Sequence, residues 1–177
     1  LSADNVNPEA FDISEQEVNL VVRLADTFNN PVPDGTAVSF TAEGGSIDGS
    51  CTTVSGTCAV TWVSANPTVP DHRITILATA IGHETLFDSN GNNIYDDADV
   101  RRALVLVTSS SAAQIDILDS NDAIVASNYQ TVSQPAAIAR NNAVSYTLTY
   151  ADTARQPIAN GSTIVVSTSA GQLNGQT

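Results

Sequence analysis

One segment of this chain occurs twice. Val18 to Gly49 reads VNLVVRLADTFNNPVPDGTAVSFTAEGGSIDG, and 126 positions later Val144 to Gly175 reads VSYTLTYADTARQPIANGSTIVVSTSAGQLNG, with no gap over 32 residues. Identities fall at Val18/Val144, Ala25/Ala151, Asp26/Asp152, Thr27/Thr153, Pro31/Pro157, Gly35/Gly161, Gly45/Gly171 and Gly49/Gly175. Val32/Ile158, Val38/Ile164 and Ile47/Leu173 keep the apolar positions. A shared order of A-D-T, then Pro, then Gly, then Gly is a common turn grammar, so the chain carries two copies of one structural unit. The second copy reaches Thr177 before any counterpart of Cys51 to Val107. It is expected to lack about half its strands and to expose an unpaired sheet edge.

Within the copy the apolar period is two. Val18, Leu20, Val22 and Leu24 alternate with Asn19, Val21, Arg23 and Ala25, and Val38, Phe40 and Ala42 alternate again. Cys58, Val60 and Trp62 share a face, as do Ile74, Ile76 and Ala78, then Leu104 and Leu106. Such alternation buries one face of a strand. Between the runs lie Pro-, Asn- and Gly-rich connections such as DTFNNPVPDG, and no helical period occurs. The chain is therefore expected to be all-β, built as antiparallel β-sandwiches in tandem with the second one truncated. The boundary is placed at Thr108 to Ala112, giving units 1–110 and 111–177 joined by a short serine linker.

Composition agrees and narrows function. Lys, Glu, Leu and Met, all strong helix formers, are scarce, and Lys and Met are absent altogether. The missing Met leads to the expectation that this is part of a longer protein. Asp and Glu number 19 against six Arg, a net charge of −13. That field repels nucleic acid and anionic lipid. No apolar run approaches the roughly 18 residues of a membrane helix, so no membrane insertion is expected.

Two features carry chemistry. Cys51 and Cys58 flank TTVSGT, a turn that sets them on opposite arms of a hairpin within bridging reach; two buried free thiols are the alternative. A bridge implies an oxidising compartment. The second feature is the run Asp88 to Asp99, DSNGNNIYDDAD. Asp88, Asn90, Asn92, Asp96 and Asp99 occupy positions one, three, five, nine and twelve, and Ile94 at position seven offers its carbonyl. This is the ligand schedule of a twelve-residue calcium loop, with Asn93 where Gly is usual and Asp99 where Glu is usual. A solvated acidic turn is the alternative.

The remaining polar residues read as structural. Asp26 and Asp152 are expected to cap their turns, Trp62 to fill the core, and Ser109 to Ser111 to be linker. His72 and His83 flank one strand without a nucleophile motif beside them, and Gly44-Gly45 opens no phosphate-binding helix.

The run LADTFNNPVPDGTAVSFTAEGGSIDGSCTTVSGTCAVTW resembles the bacterial immunoglobulin-like domains of the invasin/intimin type. Asp26, Asn30, Pro31, Val32, Pro33, Asp34, Gly35 and Thr36 carry the resemblance; the second copy keeps Asp152, Pro157, Ile158, Asn160, Gly161 and Ser162 but has Gln156 and Ala159 for Asn and Pro. The resemblance implies tandem Ig-like sandwiches in a cell-surface, secreted or periplasmic protein, with a structural or adhesive role and no catalysis. Its expected partners are neighbouring repeats and a surface protein or glycan. A carbohydrate- or protein-binding accessory module of a secreted enzyme is the alternative function.

Overall fold

The computed structural model describes residues 1–66, 68–82, 99–132, 142–168 and 171–175. Among them there are strands and no helix: β1 (Ser2–Ala3), β2 (Glu17–Arg23), β3 (Ala37–Ala42), β4 (Ser46–Ile47), β5 (Ser50–Thr52), β6 (Thr57–Val63), β7 (Arg73–Ile81), β8 (Asp99–Val107), β9 (Ala113–Leu118), β10 (Ile124–Ser127) and β11 (Thr147–Asp152). They form three antiparallel sheets in the orders β1-β2-β6-β4, β5-β3-β7-β8 and β10-β9-β11.

The period-two pattern sets the first two sheets face to face. Val18, Leu20 and Val22 sit opposite Trp62, Val60 and Cys58 in one sheet. Phe40 sits opposite Ala78, and Ile74 opposite Leu106, in the other. All of these side chains are buried and belong to one continuous core. The predicted alternation is thus the core face of a β-sandwich. Every buried member of that core lies between Ala10 and Leu106, so the sandwich is complete without the third sheet. Trp62, 1% exposed, donates its indole N–H to the Gly44 carbonyl at 2.8 Å. Gly45 has a φ of 74°, and a Cβ there would approach the Val63 carbonyl to 2.6 Å and the indole to 2.7 Å, so only glycine fits.

Cys51 and Cys58 form a disulfide with a Cα separation of 6.0 Å. Their arrangement differs from the expected hairpin. Cys51 lies on β5, paired to Val38, and Cys58 on β6, paired to Val22. The turn between them crosses from one sheet to the other, with Gly56 seated against Leu24 and Pro31. The bridge therefore staples the two layers at one pole of the sandwich. Closing so short a loop contributes about 2.5 kcal/mol through the unfolded chain.

The second copy is less complete. β11 repeats the end of β2, but residues 163–168, the counterpart of β3, form no strand, and Val165 is 85% exposed. In the first copy β3 is held between β5 and β7. Shifted by 126, those two neighbours fall at or past the last residues of the chain. Gly171 keeps the left-handed backbone of Gly45, with a φ of 84°, but nothing among the described residues lies within 4 Å of where its Cβ would stand.

The sandwich has two distinct poles. Since Val38 pairs with Ala80 and Ile74 with Leu106, the Asp26–Thr36 connection lies at the C-terminal end of β7 and His72 at the opposite end. The third sheet attaches at the His72 pole.

Candidate functional site

The junction between the sandwich and the third sheet is a buried polar seam. It starts from an unusual backbone: His72, just before β7, has a φ of 60°, uncommon for a side chain branched only at Cγ but within reach of histidine. Thr108 holds this conformation, its N–H donating to the His72 carbonyl at 2.8 Å and its hydroxyl at 3.2 Å. The imidazole is 3% exposed and stacks on the Phe11 ring with centroids 3.5 Å apart. Its Nδ1 lies 2.5 Å from Oδ2 of Asp152, a residue from the other copy that is 0% exposed. An ionised carboxylate only accepts, so with Asp152 as carboxylate the donor in this pair is His72 Nδ1–H.

Asp152 performs two tasks with two oxygens. Oδ1 accepts from the N–H groups of Ala154, at 2.9 Å, and Gln156, at 2.7 Å, which closes its own turn. Oδ2 faces His72 and the Ser110 N–H, the latter at 3.4 Å. The first copy makes the same turn: Oδ1 of Asp26 accepts from Phe28 N–H at 2.9 Å and Asn30 N–H at 2.8 Å. Asn29 and Arg155, 126 apart, share a left-handed φ of 65° and 62°. There, however, the second oxygen takes the Asn30 side-chain amide at 3.1 Å, and Asp26 is exposed. Gln156 replaces that Asn in the second copy and leaves Oδ2 to cross the junction.

The serine run, read from sequence as linker, is part of the seam. Ser109 is 0% exposed, and its hydroxyl lies 2.6 Å from both Asn7 Oδ1 and the Pro157 carbonyl. Asn7 donates from Nδ2 to the Ile158 carbonyl at 2.7 Å. The Ser110 hydroxyl bonds the Ala112 carbonyl and receives Thr153. Ser111 donates its N–H and hydroxyl to Asp12 at 2.8 and 2.5 Å. Every buried side-chain nitrogen and oxygen among the described residues has a partner. A fully satisfied buried network of this kind fixes one arrangement of the parts it joins. A histidine, a carboxylate and serines do converge here, but the Ser109 and Ser110 hydroxyls are engaged with backbone and with Asn7 and Thr153. His72, Asp152, Asn7, Ser109 and Ser110 are also closed to solvent, whereas a nucleophile must meet its substrate.

Carboxylates at the turns set the acid response. The Asn30 N–H and side-chain amide hold the Asp26 carboxyl below its usual range, outweighing the opposing desolvation. Asp119 heads a third turn of the same form, and the N–H groups of Asn121 and Ala123 lower it likewise. Burial pushes the Asp12 carboxyl up, but the Ser111 hydroxyl and N–H more than offset it. A folded-state pKa below the unfolded one stabilises above the unfolded value, about 4, and the gain is lost as pH falls through the folded value. Melting temperature is expected to fall between pH 5 and pH 3, and Asp26→Asn with Asp119→Asn to flatten that slope; thermal melts across this range check it.

The acidic run has a different status. Asp88, Asn90, Asn92, Ile94 and Asp96 lie outside the described residues, as does His83; the backbone of Asp99 opens β8 opposite Ile81. Among the described residues no group of three or more His, Cys, Asp or Glu is placed to hold a metal ion. No protein-family model, curated protein or solved structure matches the chain.

Sequence reasoning missed His72 and Ser110 as partners of Asp152, and Asn7 and Ser109 as partners of the Pro157 and Ile158 carbonyls beside it. Two signals were available. Gln156 departs from the Asn that occupies the second oxygen in the first copy, and Thr108-Ser109-Ser110-Ser111 is richer in hydroxyls than a linker needs.

Proposed function

We propose that this chain is a rigid tandem spacer: two successive immunoglobulin-like modules, residues 1–110 and 111–177, of a bacterial cell-surface or exported protein with a structural or adhesive role. The observation that carries the reading is the buried seam. It spends a histidine, an asparagine, several hydroxyls and an aspartate on fixing the angle between consecutive units, and a spacer needs that angle fixed. The Cys51–Cys58 bridge supports export, since such bonds persist in oxidising compartments. The net charge of −13 disfavours nucleic acid and anionic lipid as partners.

Small-angle X-ray scattering tests the rigidity. One fixed arrangement of the two units is expected to fit the curve; a requirement for a broad ensemble would overturn the reading.

Calcium at Asp88, Asn90, Asn92, Ile94, Asp96 and Asp99 is the second part of the proposal. It is supported by the ligand spacing and by the mutual repulsion of four carboxylates in twelve residues. A cation bound only by the folded chain raises its melting temperature. Melts with calcium and with excess EDTA are expected to differ upward with calcium, and identical melts would remove the metal from the account.

A further inference from the structure

The seam uses one half of a repeated surface, and the other copy of that surface is bare. The Asp152 turn is buried against the His72 pole, whereas the Asp26 turn, which matches it in its backbone and Oδ1 hydrogen bonds, stands open at the far pole. Asp26, Thr27, Phe28, Asn29, Asn30 and Pro31 are all exposed. Phe28 is 84% exposed, standing where the second copy has Ala154. Exposed there, the ring can bury apolar area in a contact.

The two poles of the sandwich are therefore complementary in the head-to-tail sense: one offers an imidazole stacked on a phenyl ring, the other an aspartate-headed turn. A heterologous contact of this kind does not close on itself but extends as a line. Resting on the spacer reading above, we propose that the Asp26 turn is a docking face for the His72-type pole of another module of this same kind. The histidine Nδ1–H of that module would take Asp26 Oδ2 in place of the Asn30 amide, while Oδ1 goes on closing the turn. Phe28 adds apolar area that the present seam, with Ala154, lacks. The same kind of contact already joins the His72 pole to the Asp152 turn within the molecule. One difference limits the match to the turn itself: Asp34, at the position of Asn160, accepts from its own Ser55 N–H at 2.6 Å.

The strand register gives the test. Leu118 pairs with Thr147 as Ser2 pairs with Val21, so Ile117 corresponds to Leu1. A chain with residues 1–116 placed directly before Leu1 thus continues the strand in register, and the added sandwich brings its own complete core. Nitroxide labels at the exposed Thr41 of each sandwich report their separation by pulsed electron spin resonance. A single narrow distance is expected, broadened by Asp26→Asn in the trailing copy and by His72→Gly in the leading copy, since glycine accepts the φ of 60°. Asp26→Asn keeps a side-chain oxygen to close the turn, and Phe28→Ser, which leaves the turn untouched, is expected to broaden the distribution as well. A broad distribution in the parent, or a narrow one indifferent to all three substitutions, would overturn the proposal. Scattering on the 177-residue chain reads the existing seam separately, so failure of this face and failure of the spacer reading are distinguishable.

Discussion

Replacing Trp62 with alanine is expected to destabilise the sandwich by about 3–5 kcal/mol, the cost of emptying a large core site. The side chain is one of the largest fully buried in the molecule and lies opposite Val18 on β6. Its indole also covers Gly45 and satisfies the Gly44 carbonyl. Trp62→Phe separates the two contributions. It keeps most of the apolar contact but leaves the Gly44 carbonyl without its donor, a loss of about 1–3 kcal/mol. Urea unfolding followed by far-UV circular dichroism measures both, and a Trp62→Ala loss under 1 kcal/mol would contradict the core described here.

Removing His72 is the second large perturbation. It leaves the Asp152 carboxylate buried and short of one of its four donors, which costs about 3 kcal/mol. The backbone complicates the choice of variant, because His72 has a φ of 60° and alanine is strained there. His72→Gly deletes the side chain without that strain, and His72→Asn tolerates the same backbone while offering an amide donor to Asp152. His72→Gly is expected to raise hydrogen exchange at β11 and the Asp152 turn while leaving β2, β3 and β6 protected. His72→Asn is expected to restore part of the protection. Equal loss of protection throughout the sandwich would mean that His72 serves the core and not the junction.

Much of the sandwich was legible in the sequence because period-two alternation maps directly onto the face that a strand buries. Val18, Leu20 and Val22, or Ile74 and Ile76, could hardly point elsewhere without putting aliphatic side chains in water. The repeat was legible too, and its Asp26 and Asp152 turns close as a short acceptor before exposed N–H groups should. The disulfide pairing could be read from spacing, but its crossing between sheets could not, since a tight turn looks the same whether it joins neighbours in one sheet or spans two. The seam was illegible for a related reason. His72 and Asp152 are 80 residues apart, and nothing local distinguishes a histidine that meets a carboxylate across a junction from one that faces solvent. Only the contrast between Asn30 and Gln156, read together with the repeat, hints that one aspartate has an oxygen to spare.

The central claim is that His72, Asp152 and the serine run hold the sandwich and the third sheet as one body. Residual dipolar couplings of the 177-residue chain, measured for amides of β2, β3, β6 and β7 and for those of β9 and β11, test it most directly. The account predicts that both sets fit a single alignment tensor, and that His72→Gly splits them into two of unequal magnitude. Two tensors of clearly different magnitude in the unsubstituted chain would contradict it.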